Sequence, residues 1–273
     1  MKENCSPYKI VLPNKKKVGI LLSIPHCGVQ FPTDLKSSYN SEIIQKPDDT
    51  DWFLEKLYDF APSLGITTIQ AVYSRWVIDL NRTPENISLY NDGRIITSLC
   101  PTTNFLGEKL YLNTLLEPNK NEIDRRLKNY FQPYHQKINA LLKELKKEFD
   151  KVILWDAHSI RRTVSTIQKE PFPDLILGNN DRKTAENSLI ELTLKNLKTS
   201  GLAVNDNHPF KGGFITRSKG NVDSNIHALQ LEMAKDLYMS NDELDYDNYK
   251  ANEVKKWLQN TLKSLINYLN EGV

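Results

Sequence analysis

Two histidines each follow an apolar segment, at positions where a strand of an α/β sheet is expected to end. His26 comes after Val18–Ile24, and His158 comes after Val152–Trp155. Ligands of open α/β sheets usually bind at the carboxyl ends of the strands. Each histidine taken alone is more typical of a structural role. For two histidines in matching positions, metal binding is as good an interpretation as a structural role.

Zinc with two histidine ligands needs a third protein ligand if one coordination position is to stay open for water. Carboxylates are available in the segment Asp48–Trp52. Asp51 is our choice because it lies just inside a predicted helix over Asp51–Phe60, and Asp49 is a close alternative. The same acidic residues could instead cap that helix, where its dipole favours negative charge.

Two arginines interrupt the apolar segment Ser74–Arg82, at positions seven residues apart. The planar guanidinium groups of Arg75 and Arg82 suit a carboxylate or a developing oxyanion. Surface ion pairs are the simpler alternative for either arginine. Asp79 could brace this segment, and Asn81 could add an amide donor beside Arg82.

A carboxylate and a third arginine lie in the last third of the chain. Alternation in the segment that contains Gln230 and Glu232 places both side chains on one strand face. If that face meets a metal, Glu232 can take a proton from water and return it to a leaving nitrogen. Arg217 follows Gly212 and Gly213, which permit close backbone approach, and could hold a second anionic group of a substrate.

The elements that must position these residues alternate between apolar strand-like runs and longer segments with helical periodicity. This alternation predicts an α/β sheet. The predicted strands are Val18–Ile24, Thr67–Val72, Val152–Trp155, Leu175–Leu177 and Ile226–Leu231.

Helical periodicity is clearest in two further segments. Apolar residues recur at helical spacing over Asn121–Phe149, which Pro133 should kink or interrupt, and over Asn252–Leu269. The segment Thr83–Pro118 has little periodicity and many turn residues, so it predicts a long loop region. Long ordered loops in compact domains usually carry function.

Bulk composition excludes several classes of protein. The chain of 273 residues is expected to form one domain, residues 1–273, and its 36 basic and 34 acidic residues give no general reason for binding nucleic acid or a membrane. Cys5, Cys27 and Cys100 fit neither a disulfide framework nor a CxxC site. The run Val18–Ile24 is too short for a signal-peptide core or a membrane span, so a cytoplasmic location is expected.

Taken together, the motifs resemble those of the N-formylglutamate amidohydrolase family. The resemblance spans about residues 18 to 235. It implies a central mixed, mostly parallel sheet flanked by helices, of the zinc-exopeptidase, phosphorylase/hydrolase-like kind, as in zinc carboxypeptidases and aspartoacylase. The matching motifs are SIPHCG (Ser23–Gly28), DTDW (Asp49–Trp52), SRWVIDLNR (Ser74–Arg82), DAHS (Asp156–Ser159), GGFITR (Gly212–Arg217) and HALQLE (His227–Glu232).

The resemblance also implies roles for the candidate residues. One zinc ion per chain would be held by His26, Asp51 and His158. Glu232 would act as general base and acid, and Arg75 would stabilise the oxyanion.

The implied substrate is a small N-acyl amino acid, most specifically N-formyl-L-glutamate, whose hydrolysis to formate and L-glutamate belongs to histidine breakdown. Asn81 and Arg82 would hold its α-carboxylate. Two alternatives stay open at this point. The chain could bind small carboxylates without turnover, or it could be a zinc carboxypeptidase or deacylase that acts on another N-acyl amino acid.

Overall fold

The computed structural model describes residues 6–87, 89 and 97–270. Cys5 and part of the predicted loop over Thr83–Pro118 lie outside the described residues. The rest of that loop contains the short 3-10 helix Thr114–Leu116, isolated β-bridges, turns and irregular backbone, as predicted. In the described part of the chain, no helix has the length and apolar composition needed to span a membrane.

Among the described residues, seven strands form one sheet in the order β1-β3-β2-β4-β7-β5-β6. The β1–β3 and β5–β7 pairs are antiparallel and the other neighbours are parallel, which confirms the predicted mixed, mostly parallel sheet. The five predicted strands are present, and β1 and β6 are additional. The strands are β1 Tyr8–Val11, β2 Ile20–Ile24, β3 Thr67–Ala71, β4 Val152–Ile160, β5 Leu175–Gly178, β6 Val204–Asp206 and β7 Ile226–Ala234.

The helices of the described chain cover both faces of this sheet. One apolar cluster joins β2, β4, β5 and β7 to α5 and α7, and another joins β2, β3 and β4 to α4. The helices are α1 Thr33–Lys36, α2 Leu54–Leu57, α3 Lys120–Arg126, α4 Gln132–Glu148, α5 Asn187–Lys198, α6 Phe214–Lys219 and α7 Asn248–Asn270.

The two long helical predictions are confirmed with different boundaries. The segment predicted over Asn121–Phe149 is divided into α3 and α4 by a π-helical turn at Leu127–Phe131. Pro133 lies in the first turn of α4, directly after that π turn. Because proline has no N–H for the preceding turn, an interruption at this point is expected. The helix predicted over Asn252–Leu269 is α7, which begins four residues earlier.

The prediction of a helix over Asp51–Phe60 is wrong. Only α2, Leu54–Leu57, is helical there, and Phe53 before it has a left-handed φ of 63°. The backbone N–H of Asp51 donates instead to the carbonyl oxygen of His26 at 3.0 Å. This contact joins two distant segments, so Asp51 belongs to an ordered loop beside the end of β2.

The parallel pairing of β4 and β7 positions the candidate residues. β4 is buried along its whole length, and its register with β7 sets Asp156 opposite Gln230 and His158 opposite Glu232. Pairing continues to Ile160, so His158 lies within β4 and not after it, contrary to the sequence prediction. β2 lies on the other side of β4, with Ser23 opposite Asp156.

His135 of α4 connects the helix to the segment that carries Asn81. Its Nε2–H donates to the carbonyl oxygen of Leu80 at 3.0 Å. Burial, with a smaller contribution from Lys219, lowers the pKa of His135 to about 3, whereas an unfolded histidine titrates near 6.5. Since the unfolded chain binds this proton more tightly, the stability that neutral His135 contributes is present above about pH 6.5 and is lost as the pH falls.

We expect His135→Gln to remove this pH dependence while its amide still donates to Leu80. Between pH 7 and pH 5, the free energy of unfolding should fall by about 2 kcal/mol more for the wild type than for the variant. Urea titrations of both proteins at the two pH values measure this difference. Equal decreases in the free energy of unfolding would contradict the assignment of this pH dependence to His135.

Candidate active site

A cavity opens at the carboxyl ends of β2, β4 and β7, where the sequence predicted the site. Its volume is about 700 Å³ when the solvent at its mouth is included. One wall is polar and the other is apolar. The lining residues are His26, Asp51, Arg75, Asn81, Arg82, Leu89, Phe105, His158, Ser159, Ile160, Ile167, Phe210, Gly213, Gln230 and Glu232.

Three buried side chains at the base of the cavity have the donor set of a metal site. His26, Asp51 and His158 each offer one atom, and these atoms lie within 4.8 Å of one another. Asp51 Oδ2 lies 3.2 Å from His158 Nδ1 and 3.7 Å from His26 Nδ1. Ligand atoms of a tetrahedral zinc ion are separated by about 3.4 Å, because each bond is about 2.0–2.2 Å long. The two nitrogens and one carboxylate oxygen are therefore a donor set that could hold a metal ion.

His26 supplies an independent observation for the same conclusion. Its Nδ1 is buried and has no hydrogen-bond partner among the described residues, although buried polar atoms are normally satisfied. Its Nε2 lies 2.8 Å from Asp79 Oδ1. A proton on Nε2 that is donated to Asp79 leaves the Nδ1 lone pair directed toward Asp51 and available to a cation.

His158 has the same arrangement, with Asp156 in the place of Asp79. Asp156 Oδ2 lies 3.1 Å from His158 Nε2, which leaves Nδ1 on the side of Asp51. Burial acts to lower the pKa of His158, but Asp156 and Asp51 outweigh it and raise that pKa well above its ordinary value.

The structure separates the two carboxylates between which the sequence left a choice. Asp51 belongs to the three-residue group with the histidines. Asp49 instead accepts hydrogen bonds from Trp76 Nε1 at 2.8 Å and from the backbone N–H of Phe105 at 3.0 Å. With these partners, Asp49 connects two loops beside the cavity.

Glu232 lines the cavity opposite His158. Burial raises the pKa of Glu232 to about 8, and the nearby charge of Asp51 adds to this effect. Gln230 Nε2 lies 3.4 Å from Glu232 Oε2. A carboxyl group whose pKa lies near neutrality can both accept and return a proton.

The two arginines of the segment Ser74–Arg82 both line the cavity. Arg75 is buried, and its Nη2 donates to Asp79 Oδ2 at 2.6 Å. Arg82 donates from Nε to the carbonyl oxygen of Thr97 at 3.1 Å. Both guanidinium groups are thus oriented by protein acceptors at the cavity wall.

Asn81 lines the same cavity and Arg217 does not. Asn81 Oδ1 accepts from the backbone N–H of Ile215 at 2.8 Å. A Cβ added at Gly213 would lie 2.2 Å from Asn81 Nδ2, so this close approach requires glycine. Arg217 Nε donates to the carbonyl oxygen of Gly212 at 2.8 Å, and its guanidinium also contacts the carbonyl oxygen of Leu89, a residue of the cavity lining, at 3.5 Å.

The sequence analysis missed the apolar wall. Phe105, Ile160, Ile167 and Phe210 contribute to it, together with Leu89. Several of these residues lie in irregular segments, where no periodic pattern marks a buried side chain. The sequence therefore offered no signal that would have identified them as a group.

Fold and site together define an α/β protein with a candidate metal centre at the carboxyl edge of a mixed sheet. The family model described as N-formylglutamate amidohydrolase matches residues 18–239. The N-formylglutamate deformylase of Pseudomonas putida is 35% identical over 260 residues, covering 94% of this chain and 96% of that protein. The enzyme of the same name from Pseudomonas aeruginosa is 38% identical over 224 residues, covering 82% of this chain and 83% of that protein.

Solved structures agree with this result at the level of the fold. The crystal structure of an N-formylglutamate amidohydrolase from Ralstonia eutropha has a TM-score of 0.82 at 23% identity, covering 98% of this chain and all of that one. A gene product of Agrobacterium tumefaciens has a TM-score of 0.74 at 15% identity, covering 97% of this chain and 98% of that one. The chain belongs to the N-formylglutamate amidohydrolase family.

We expect Asp79→Asn to weaken zinc binding by about 10- to 100-fold, because the amide no longer orients His26 as a carboxylate does. Competition with a fluorescent chelator measures the affinity. Asp59→Asn is the matched control, since Asp59 is exposed and pairs with Lys255 on the surface. Equal zinc affinities of the two variants would contradict the role of Asp79.

Proposed function

We propose that this chain hydrolyses N-formyl-L-glutamate to formate and L-glutamate, with one zinc ion held by His26, Asp51 and His158. The observation that carries the proposal is the convergence of these three donors beside Glu232, in a chain 35–38% identical to proteins named N-formylglutamate deformylase. A histidine-breakdown role and a cytoplasmic location are parts of the same proposal.

Zinc at this position would lower the pKa of a water molecule to about 7 and polarise the substrate carbonyl. Glu232 accepts a proton from the attacking water at its carboxylate and later donates it to the departing nitrogen. Arg75 donates hydrogen bonds to the carbonyl oxygen as negative charge develops there, an effect that can contribute about 3 kcal/mol.

The substrate is oriented in this proposal by its α-carboxylate. Arg82 supplies the positive charge, and the Asn81 amide lies beside it on the same wall. Asn81 also holds the backbone of Ile215, so it combines support of the wall with any contact to the substrate. The role that the sequence predicted for Arg217, as the holder of a second anionic group, stays a prediction.

A panel of N-formyl and N-acetyl amino acids, assayed with zinc supplied, tests the reaction and its specificity. We expect turnover of N-formyl-L-glutamate, loss of that turnover after a chelator removes the metal, and recovery when zinc is added. A metal analysis should find about one zinc ion per chain. Binding of the acyl amino acid without turnover would instead support the alternative of a binding protein.

Glu232→Gln should lower kcat by about 10²- to 10⁴-fold, because the amide cannot take the proton from water. Zinc content should remain at the wild-type level, since Glu232 is not one of the three ligands. Glu253→Gln, an exposed substitution on α7, is the matched control. Turnover by Glu232→Gln at the wild-type rate would refute the assignment.

A further inference from the structure

A second, smaller cavity adjoins the active-site cavity. Phe105, Ser159 and Ile160 line both of them. The second cavity has a volume of about 270 Å³ with the solvent at its mouth included. The proposed reaction uses none of its remaining lining residues, which are Asp48, Asp49, Leu106, Arg161, Val164 and Lys235.

Lys235 is the charged residue of this cavity that the protein leaves incompletely paired. The residue is 3% exposed, and its Nζ donates to the carbonyl oxygen of Asp48 at 3.2 Å. An ammonium group has three N–H donors. The described residues give Lys235 no other hydrogen-bond acceptor and no carboxylate within 4.0 Å.

The acidic residues that line the cavity already have other partners. Asp48 Oδ1 pairs with Arg161, and Asp49 accepts from Trp76 Nε1 and from the backbone N–H of Phe105. Burying an ammonium group that has one hydrogen-bond acceptor and no carboxylate within 4.0 Å is costly, typically by several kcal/mol. Lys235 is thus suited to an anionic group that enters from outside the protein.

The position of Lys235 along β7 relates this cation to the reaction site. Lys235 comes three residues after Glu232, directly beyond the end of the strand. In extended chain, this spacing separates their Cα atoms by about 10 Å. Lys235 turns out of the strand and lines the cavity that shares Phe105, Ser159 and Ile160 with the active-site cavity, which brings its ammonium within reach of a substrate side chain.

We propose that Lys235 binds the side-chain carboxylate of the substrate at the mouth of the second cavity, which makes this ammonium the group that selects an acidic side chain. This inference rests on the proposed function and deepens it. A neutral side chain would leave the Lys235 ammonium buried and unpaired, so the site would discriminate against it. Lys235 is better placed for this contact than Arg217, which donates to Gly212 and does not line either cavity.

The test compares two substrates of nearly equal size, N-formyl-L-glutamate and N-formyl-L-glutamine. We expect Lys235→Met to lower kcat/KM for the glutamate substrate by about 10²-fold, as for loss of one partner of a buried charge pair. The value for the glutamine substrate should stay within about threefold of the wild type, since that substrate brings no charge to the pocket. Lys256→Met, on the exposed surface of α7, is the matched control and should change neither value.

The outcomes separate this inference from the proposed function. If wild-type protein hydrolyses neither substrate, the proposed function fails. If the wild type is active and Lys235→Met loses activity equally on both substrates, Lys235 only holds the Asp48 loop and the inference is overturned. A selective loss in Arg217→Met, with none in Lys235→Met, would likewise overturn it.

A crystal structure of the wild-type protein with L-glutamate decides the question without any variant. The inference requires a side-chain carboxylate oxygen within hydrogen-bond distance of Lys235 Nζ, about 2.7–3.2 Å. A side-chain carboxylate bound to any other cation would refute it, even if Lys235→Met did not fold.

Discussion

The carboxylate of Asp79 is completely buried, and residues of the cavity satisfy it. Its Oδ1 accepts from His26 and from the backbone N–H of Asn81, and its Oδ2 accepts from Arg75. Burial acts to raise the pKa of Asp79, but Arg75 and His26 outweigh it and hold that pKa well below its ordinary value. An ionised group at this depth is stable only while these donors stay in place. The orientations of His26 and Arg75 are therefore parts of one electrostatic arrangement.

The sheet brings this arrangement together with residues that are far away in sequence. β2, β4 and β7 are neighbours in the sheet and run parallel, so their carboxyl ends lie at one edge. His26 follows β2, whereas His158 and Glu232 lie opposite each other near the ends of β4 and β7. Asp51 joins them through its backbone hydrogen bond to His26. A one-residue change in the β4–β7 register would turn His158 or Glu232 to the other face of the sheet.

In the function that we propose, the cavity and its neighbour offer the substrate two kinds of surface. The main cavity combines the metal-type donors with apolar side chains, and burial raises the pKa of Glu232 within it. The adjoining cavity contains Lys235, a buried cation for which the protein supplies one carbonyl oxygen. Selection by charge is strong in such a setting, because a wrong ligand leaves a desolvated ion without a partner.

Local patterns in the sequence determined the class of the fold and the main chemical groups. Apolar periodicity reports burial directly, and it located the central strands and the two long helical segments. Polar residues within or next to apolar runs indicated His26, His158 and Glu232 as candidates. The family motifs added the roles that were expected of them.

Only the tertiary structure decided which partners these groups have. The sequence predicted a helix from Asp51, whereas a left-handed residue at Phe53 and the contact with His26 place Asp51 in a loop. The choice of Asp51 over Asp49 likewise depends on contacts between segments distant in sequence. Hydrogen bonds and counter-charges of this kind depend on strand register and loop path, which no local pattern encodes. For the same reason, the sequence alone did not reveal the apolar wall or the incompletely paired ammonium of Lys235.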